Sequence, residues 1–481
     1  MILLFLMWLF NPGVKEGLRK LKENKAALLL AGLFLIHIIW LFNTSDFEYA
    51  LKDIRIKLPL LFLALVVGSI SIDRNQLKLI FLSLSLGIWL ATILAYFRYA
   101  NLPPNFHDYR EIVQGISHIR LSLLMIMQVI GVVYFWNELS PPWKVFAVAV
   151  LINTVIFFNV LQSATGIIIL LVLIGAFALL FAIRKAKPKV AILVGIVSLA
   201  ILGVGLAYSV NYYNSYFAVA DKAKPLDTKT ARGNEYRIFP EVGLVENGNR
   251  TYDYFANDEM IEAWNIRSTK PMAADTEDVS LNFTLMRYLT SKGLRKDYEG
   301  VMALSNQDIE NIENGYPNEI YANESGLKLR FHTFMFGLHV FNATGDVSGL
   351  SFFQRIIYWN TAVEIIQDNW LLGVGTGDVK NEFRLKHQEI NQGLDERYWL
   401  RAHNQFLTFF VTFGILGFSY YLFLFAYSFR LYRKDFLKLA FLLVAFISCL
   451  TEDTLESQAG VTFFSFFFAL LCKPPSDSEH E

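Results

Sequence analysis

The chain of 481 residues has two cysteines, Cys449 and Cys472, both in or beside apolar runs. That excludes a disulfide framework and a cysteine-built zinc site. It contains no Walker A loop, no H-E-x-x-H helix, no G-x-S-x-G elbow and no pair of aspartates spaced two apart. ATP-driven transport, zinc proteolysis, serine-type acyl transfer and metal-dependent sugar-nucleotide chemistry therefore lose their usual signatures. No cofactor and no metal ligand set is expected. Lys plus Arg equals Asp plus Glu at 43 each, so no global field points to nucleic acid. The N-terminal MILLFLMWLF lacks the basic start and small-residue cleavage site of a removable signal peptide.

What the chain has is apolar length. It is 54% hydrophobic and 18% charged, with apolar runs of about 17 to 25 residues. An all-α polytopic membrane protein follows. Basic clusters at 15–25, RKAKPK (184–189) and RLYRKDFLK (430–438) mark cytoplasmic loops. Spans are then expected near 26–42, 58–71, 79–97, 120–136, 144–160, 165–183, 190–210 and 403–428, with two short ones inside 437–472 split by TEDTLESQ. Residues 1–12 make an eleventh, or imply a twelfth that precedes them. Parity places 211–402 outside the cytoplasm and the acidic tail inside.

Three regions are expected: N-terminal transmembrane helices (1–210), an extracytoplasmic, mostly helical domain (211–402), and C-terminal transmembrane helices with a cytoplasmic tail (403–481). The middle region is polar but carries Trp264, Phe283, Leu285, Tyr288 and Leu289, a density that disordered segments lack. FHTFMFGLHVFNATGD (331–346) is apolar enough to lie on the membrane or pack on that domain.

The chemistry concentrates between Gln354 and Gly417. QRIIYWNTAVEIIQDNW reads as a helix with Phe352, Ile356, Val363 and Ile366 on one face and Gln354, Asn360 and Gln367 away from it. Arg355 there has three possible roles: solvation, pairing with an acid, or bidentate clamping of a phosphate. GVGTG follows, with Gly373, Gly375 and Gly377. Such a turn either reverses the chain or exposes amides to an anion. His403 and Asn404 then open an apolar helix. A histidine there is a polar cap, or a base kept neutral by the helix N-terminus and by Arg401. Arg120, at the outer end of its span, either snorkels or makes a second anion contact. Glu452, Asp453 and Glu456 read as caps or as partners of an arginine. Arg267 and Arg287 lie in helices of the middle region and are not ranked by chemistry.

R-I-I-Y-W, G-V-G-T-G, H-N and F-G-I-L-G, with Arg355, Gly373, Gly375, His403, Asn404, Gly414 and Gly417, resemble the bacterial O-antigen ligase and polymerase superfamily. DIRIKLPLL (53–61) and LQSATG (161–166) are weaker landmarks, and Ala164 stands where many members have arginine. The resemblance implies a metal-independent glycosyltransferase in the bacterial inner membrane, its site facing the periplasm. The donor it implies is a glycan on undecaprenyl pyrophosphate, the acceptor a hydroxyl of lipid A-core. Arg355 and His403 would be catalytic. Asn404, Arg401, Arg120, Arg267, Arg287, Gly373 and Gly375 would be substrate-binding. A polymerase and a protein O-oligosaccharyltransferase use the same donor. A secondary transporter, from another class, would need acidic or histidine residues at mid-membrane and related halves, which this sequence does not show.

Overall fold

A computed structural model describes residues 2–102, 109–185, 188–219, 227–239, 243–272, 279–390 and 394–473. The protein is all-α: twenty helices and one two-stranded hairpin among the described residues. Among the described residues, six helices are long and apolar enough to cross a membrane: Lys25–Asn43, Arg74–Ala100, His118–Glu138, Pro141–Leu161, Ile192–Phe217 and Gln405–Tyr432. Thr165–Leu180, Phe436–Thr451 and Gln458–Leu471 are shorter apolar helices. The N-terminal helix Ile2–Leu9 has eight residues, a rise of about 12 Å against a hydrocarbon core of about 30 Å. It does not make the eleventh span. It lies along the helix Phe47–Ser69 instead, with Phe5 on Phe62 and the Trp8 indole donating to Ser69.

The chain divides into two compact units. One comprises 1–100, 110–176 and 354–481; the other comprises 101–109 and 177–353. By their contacts the two units part between 176 and 177 and between 353 and 354. The Arg355 helix and the glycine turn belong with the C-terminal helices because they are hydrogen-bonded to them, as described below.

In the first unit, local sequence sets the helix starts. Asn24, Asp46, Ser117, Asp435 and Ser457 each accept a backbone N–H of the turn they open, relieving donors that have no partner within the helix. Phe47–Ser69 packs between Lys25–Ile39 and Gln458–Leu471. The core is phenylalanine-rich, with Phe425, Phe441, Phe464, Phe467 and Phe468 buried.

The helix Gln405–Tyr432 is broken. Gly414 has φ 58° and ψ −164°, outside helical geometry, which frees carbonyls of the preceding turn. The glycine turn takes them: Val374 N–H donates to Val411 O and Gly375 N–H to Thr412 O, both at 2.9 Å, while Ile415 N–H donates to Trp370 O at 2.8 Å. The other side of the turn is held by the segment after Lys25–Ile39. Trp40 donates to Leu372 O, Asn43 to Gly373 O, and Asp378 accepts the amides of Ser45 and Asp46.

The second unit has its own core, built from Met260, Trp264, Leu285, Tyr288, Leu289, Val301 and Ile312. Gly326–Thr344, which includes all but the last two residues of the apolar 331–346 stretch, packs here on Tyr212 and Phe217 of the helix Pro188–Phe217.

Candidate functional site

The site grows from the arginine helix, Ser351–Asp368. Its exposed positions mix apolar residues, Phe352, Ile356 and Val363, with the polar Asn360, Glu364 and Gln367. Gln354, Tyr358, Thr361, Ala362 and Ile365 are buried. Trp359 donates its indole N–H to Ala402 O at 3.0 Å, which ties this helix to the residue before His403.

His403 has φ 47°, a left-handed backbone that a non-glycine residue adopts only when its surroundings hold it. Asp453 does the holding. Its carboxylate accepts the amides of His403 and Asn404, both at 3.1 Å, and the Thr408 hydroxyl at 2.7 Å. Asn404 caps the broken helix, its Oδ1 accepting the amides of Phe406 and Leu407. The His403 ring lies 5.8 Å from the Tyr358 ring.

Arg355 and His403, 48 positions apart, meet on one carboxylate. Glu452 Oε1 accepts from Arg355 Nη2 at 2.5 Å, and Oε2 lies 3.5 Å from His403 Nδ1. The carboxylate side chain is 8% exposed, against 24% for Arg355 and 35% for His403, so it lies beneath them. Burial works against the Glu452 charge. Contact with His403 and the guanidinium groups of Arg355 and Arg120 outweigh it and hold the carboxyl below its ordinary range. Arg120 is buried and donates from Nη2 to Asp453 O at 3.3 Å; its Nε has no hydrogen-bond partner.

Arg401 points elsewhere, to Glu456 at 3.0 Å. Glu456 also pairs with Lys57 at 2.9 Å, and Lys57 with Asp53 at 3.2 Å, in a buried quartet. Burial opposes the charge of Glu456, but Lys57 and Arg401 hold its carboxyl far below the ordinary range. Gln405 adds a hydrogen bond to the same carboxylate at 2.9 Å and accepts the Leu455 amide at 2.6 Å.

Several expected ligand contacts are already committed within the protein. The amide of Gly373 donates to Asn369 O and that of Gly375 to Thr412 O, so these glycines brace the helix break and do not present free amides to an anion. Arg267 donates to the carbonyls of Met302 and Leu304 and to Asn306, and Arg287 pairs with buried Glu246. Both belong to the second unit's own framework.

Residues not assigned a site role from sequence are Glu452 and Asp453, read there only as caps or arginine partners, and the Asp53–Lys57 pair. The signal for the last was in the chain: opposite charges four apart, on one helix face, leading into an apolar run.

Residues 328–422 match the family model described as O-Antigen ligase. The matched stretch contains Arg355, the glycine turn, His403 and the Gly414 break, and stops short of the acidic loop at 452–456. No curated protein matches the chain.

Proposed function

We propose, on the strength of the match of residues 328–422 to the O-antigen ligase family model, a glycosyltransferase that moves a glycan from undecaprenyl pyrophosphate to a hydroxyl of lipid A-core. The site faces the periplasm in this reading, at the inner membrane. The observation that carries it is the convergence of Arg355 and His403 at Glu452, within reach of solvent.

Arg355 binds the donor pyrophosphate through its planar fork and stabilises the charge that grows on it. The acceptor hydroxyl gives its proton to His403 while its oxygen attacks the anomeric carbon. The bond from that carbon to the phosphate oxygen breaks, and the electron pair leaves with the pyrophosphate. Direct attack inverts the anomeric configuration. Arg120, buried beside Glu452 and Asp453, supplies a further positive field. Asn404 and the glycine turn act through the backbone by setting where His403 stands.

The test is the lipopolysaccharide profile of a strain lacking the gene, with lipid-linked glycan measured alongside. Bare lipid A-core with accumulated long glycan on undecaprenyl pyrophosphate supports the ligase. Core bearing a single repeat makes the protein a polymerase of the same superfamily. An unchanged profile removes lipid A-core as acceptor and turns the search to protein hydroxyls. Complementation with His403→Ala, inserted normally yet inactive, supports the base; full product from it refutes that role.

A further inference from the structure

Glu452 occupies an unusual place. It lies outside the stretch matched to the family, yet its two oxygens address the two residues that define the site. The next residue, Asp453, holds the backbone of the same histidine. One short loop therefore fixes both the main chain and the ring of His403. Glu452 sits beneath the more exposed Arg355 and His403, so it is poorly placed to touch a substrate and well placed to orient what does.

We propose that Glu452 is the positioning residue of this site: it holds His403 through Nδ1 and serves as the counter-ion of Arg355 until an anion takes that arginine. The groups facing the ring are few. Glu452 comes from the acidic loop and Arg355 and Tyr358 from the arginine helix, while Arg401, two residues upstream, is turned to Glu456; Asp453 binds the ring's own backbone. With Nδ1 turned to the carboxylate, Nε2 is left to receive a proton from an acceptor. While Arg355 stays paired, part of the carboxylate's field is spent on the guanidinium. Once a phosphate draws Arg355 away, the whole field falls on the imidazole and favours its taking a proton. Anion binding and base strength become coupled through one side chain. The identity of the anion rests on the glycosyl-transfer reading; the coupling does not.

The experiment uses the full-length protein in detergent and reads acylation of His403 by diethyl pyrocarbonate, which attacks neutral imidazole, by peptide mass spectrometry at about pH 6. Glu452→Gln should accelerate acylation about three- to tenfold, because the carboxylate that favours the protonated ring is gone. Arg355→Ala should slow it, because the carboxylate is then undivided. Glu452→Asp should fall between wild type and Glu452→Gln. Inorganic pyrophosphate should slow the wild type more than Glu452→Gln, where only the anion's own charge acts on the ring; slowing of both to the same degree would mean simple shielding and overturn the coupling. Equal rates in wild type and Glu452→Gln overturn the proposal outright. Should Glu452→Gln fail to elute as a folded species, Arg355→Ala decides, and acceleration in it refutes the proposal. No glycan enters the assay, so a failed ligase assignment leaves this result standing.

Discussion

Gly373 and Gly414 meet backbone to backbone: a Cβ on Gly373 would lie 2.5 Å from the Gly414 amide nitrogen, and one on Gly414 would lie 2.3 Å from Leu371 O. Both have left-handed φ, 69° and 58°. The contact joins the arginine helix to the broken helix, and so sets the distance between Arg355 and His403. Gly414→Ala is expected to destabilise the protein by more than the roughly 1–3 kcal/mol of backbone strain alone, because the overlapping atoms are main chain and cannot rotate aside. Gly373→Ala should behave alike. Melting followed by size-exclusion chromatography in detergent measures it; a wild-type transition in either variant would show that the turn can open without loss.

Arg355→Lys keeps the charge and loses the fork. Glu452 accepts from one terminal nitrogen, Nη2, which leaves the rest of the guanidinium for a phosphate. Transfer activity is expected to fall by about a hundredfold, the scale of one lost transition-state donor, with folding intact. Wild-type turnover in this variant would make Arg355 a structural partner of Glu452 and no more.

Much of this was legible beforehand, and the reasons differ by residue. Apolar runs gave the helices because crossing lipid demands length, and every expected span from 26 onward coincides with helical structure to within a few residues at its ends. Arg355 and His403 were readable because a cation and an imidazole beside apolar helices need a reason. The role of the glycine turn was not. Alternating glycines fit an anion loop and a brace equally well, and only the break at Gly414, with its freed carbonyls, decides for the brace. The arginine helix shows a second limit. The expected division of faces did not hold, since Gln354 is buried while Asn360 and Gln367 are exposed beside Phe352, Ile356 and Val363; packing partners, and not periodicity, decide which side of a mixed helix is covered. Glu452 was seen as a partner for some arginine; that it also reaches His403 depends on a fold 49 residues long between them, which no local pattern encodes.

The quartet of Asp53, Lys57, Arg401 and Glu456 makes a different prediction. Lys57 is fully buried and also donates to Leu455 O, so it anchors the acidic loop to the helix Phe47–Ser69. Lys57→Met removes the cation between two carboxylates and should cost about 3–5 kcal/mol, the range for breaking a buried pair from one side. Adding Asp53→Asn should recover part of that, since Arg401 still answers Glu456. Denaturation midpoints of the two variants test this. Equal midpoints for Lys57→Met and the wild type would mean that water reaches the quartet.

Glu452 also carries a pH dependence. Its carboxyl is held below the ordinary value of 4.5 in the folded protein: burial opposes the charge, and the His403 contact with Arg355 and Arg120 outweighs it. For a depressed carboxyl the linked stability is present above the unfolded value and is lost as pH falls through the folded one. The gap in melting temperature between wild type and Glu452→Gln should therefore be full near neutral pH and close as the pH drops below about 4.5. Comparing the two proteins cancels the other acidic groups, which titrate in both. A gap that did not close below about pH 4.5 would mean that the charge of Glu452 is not what holds Arg355 and His403.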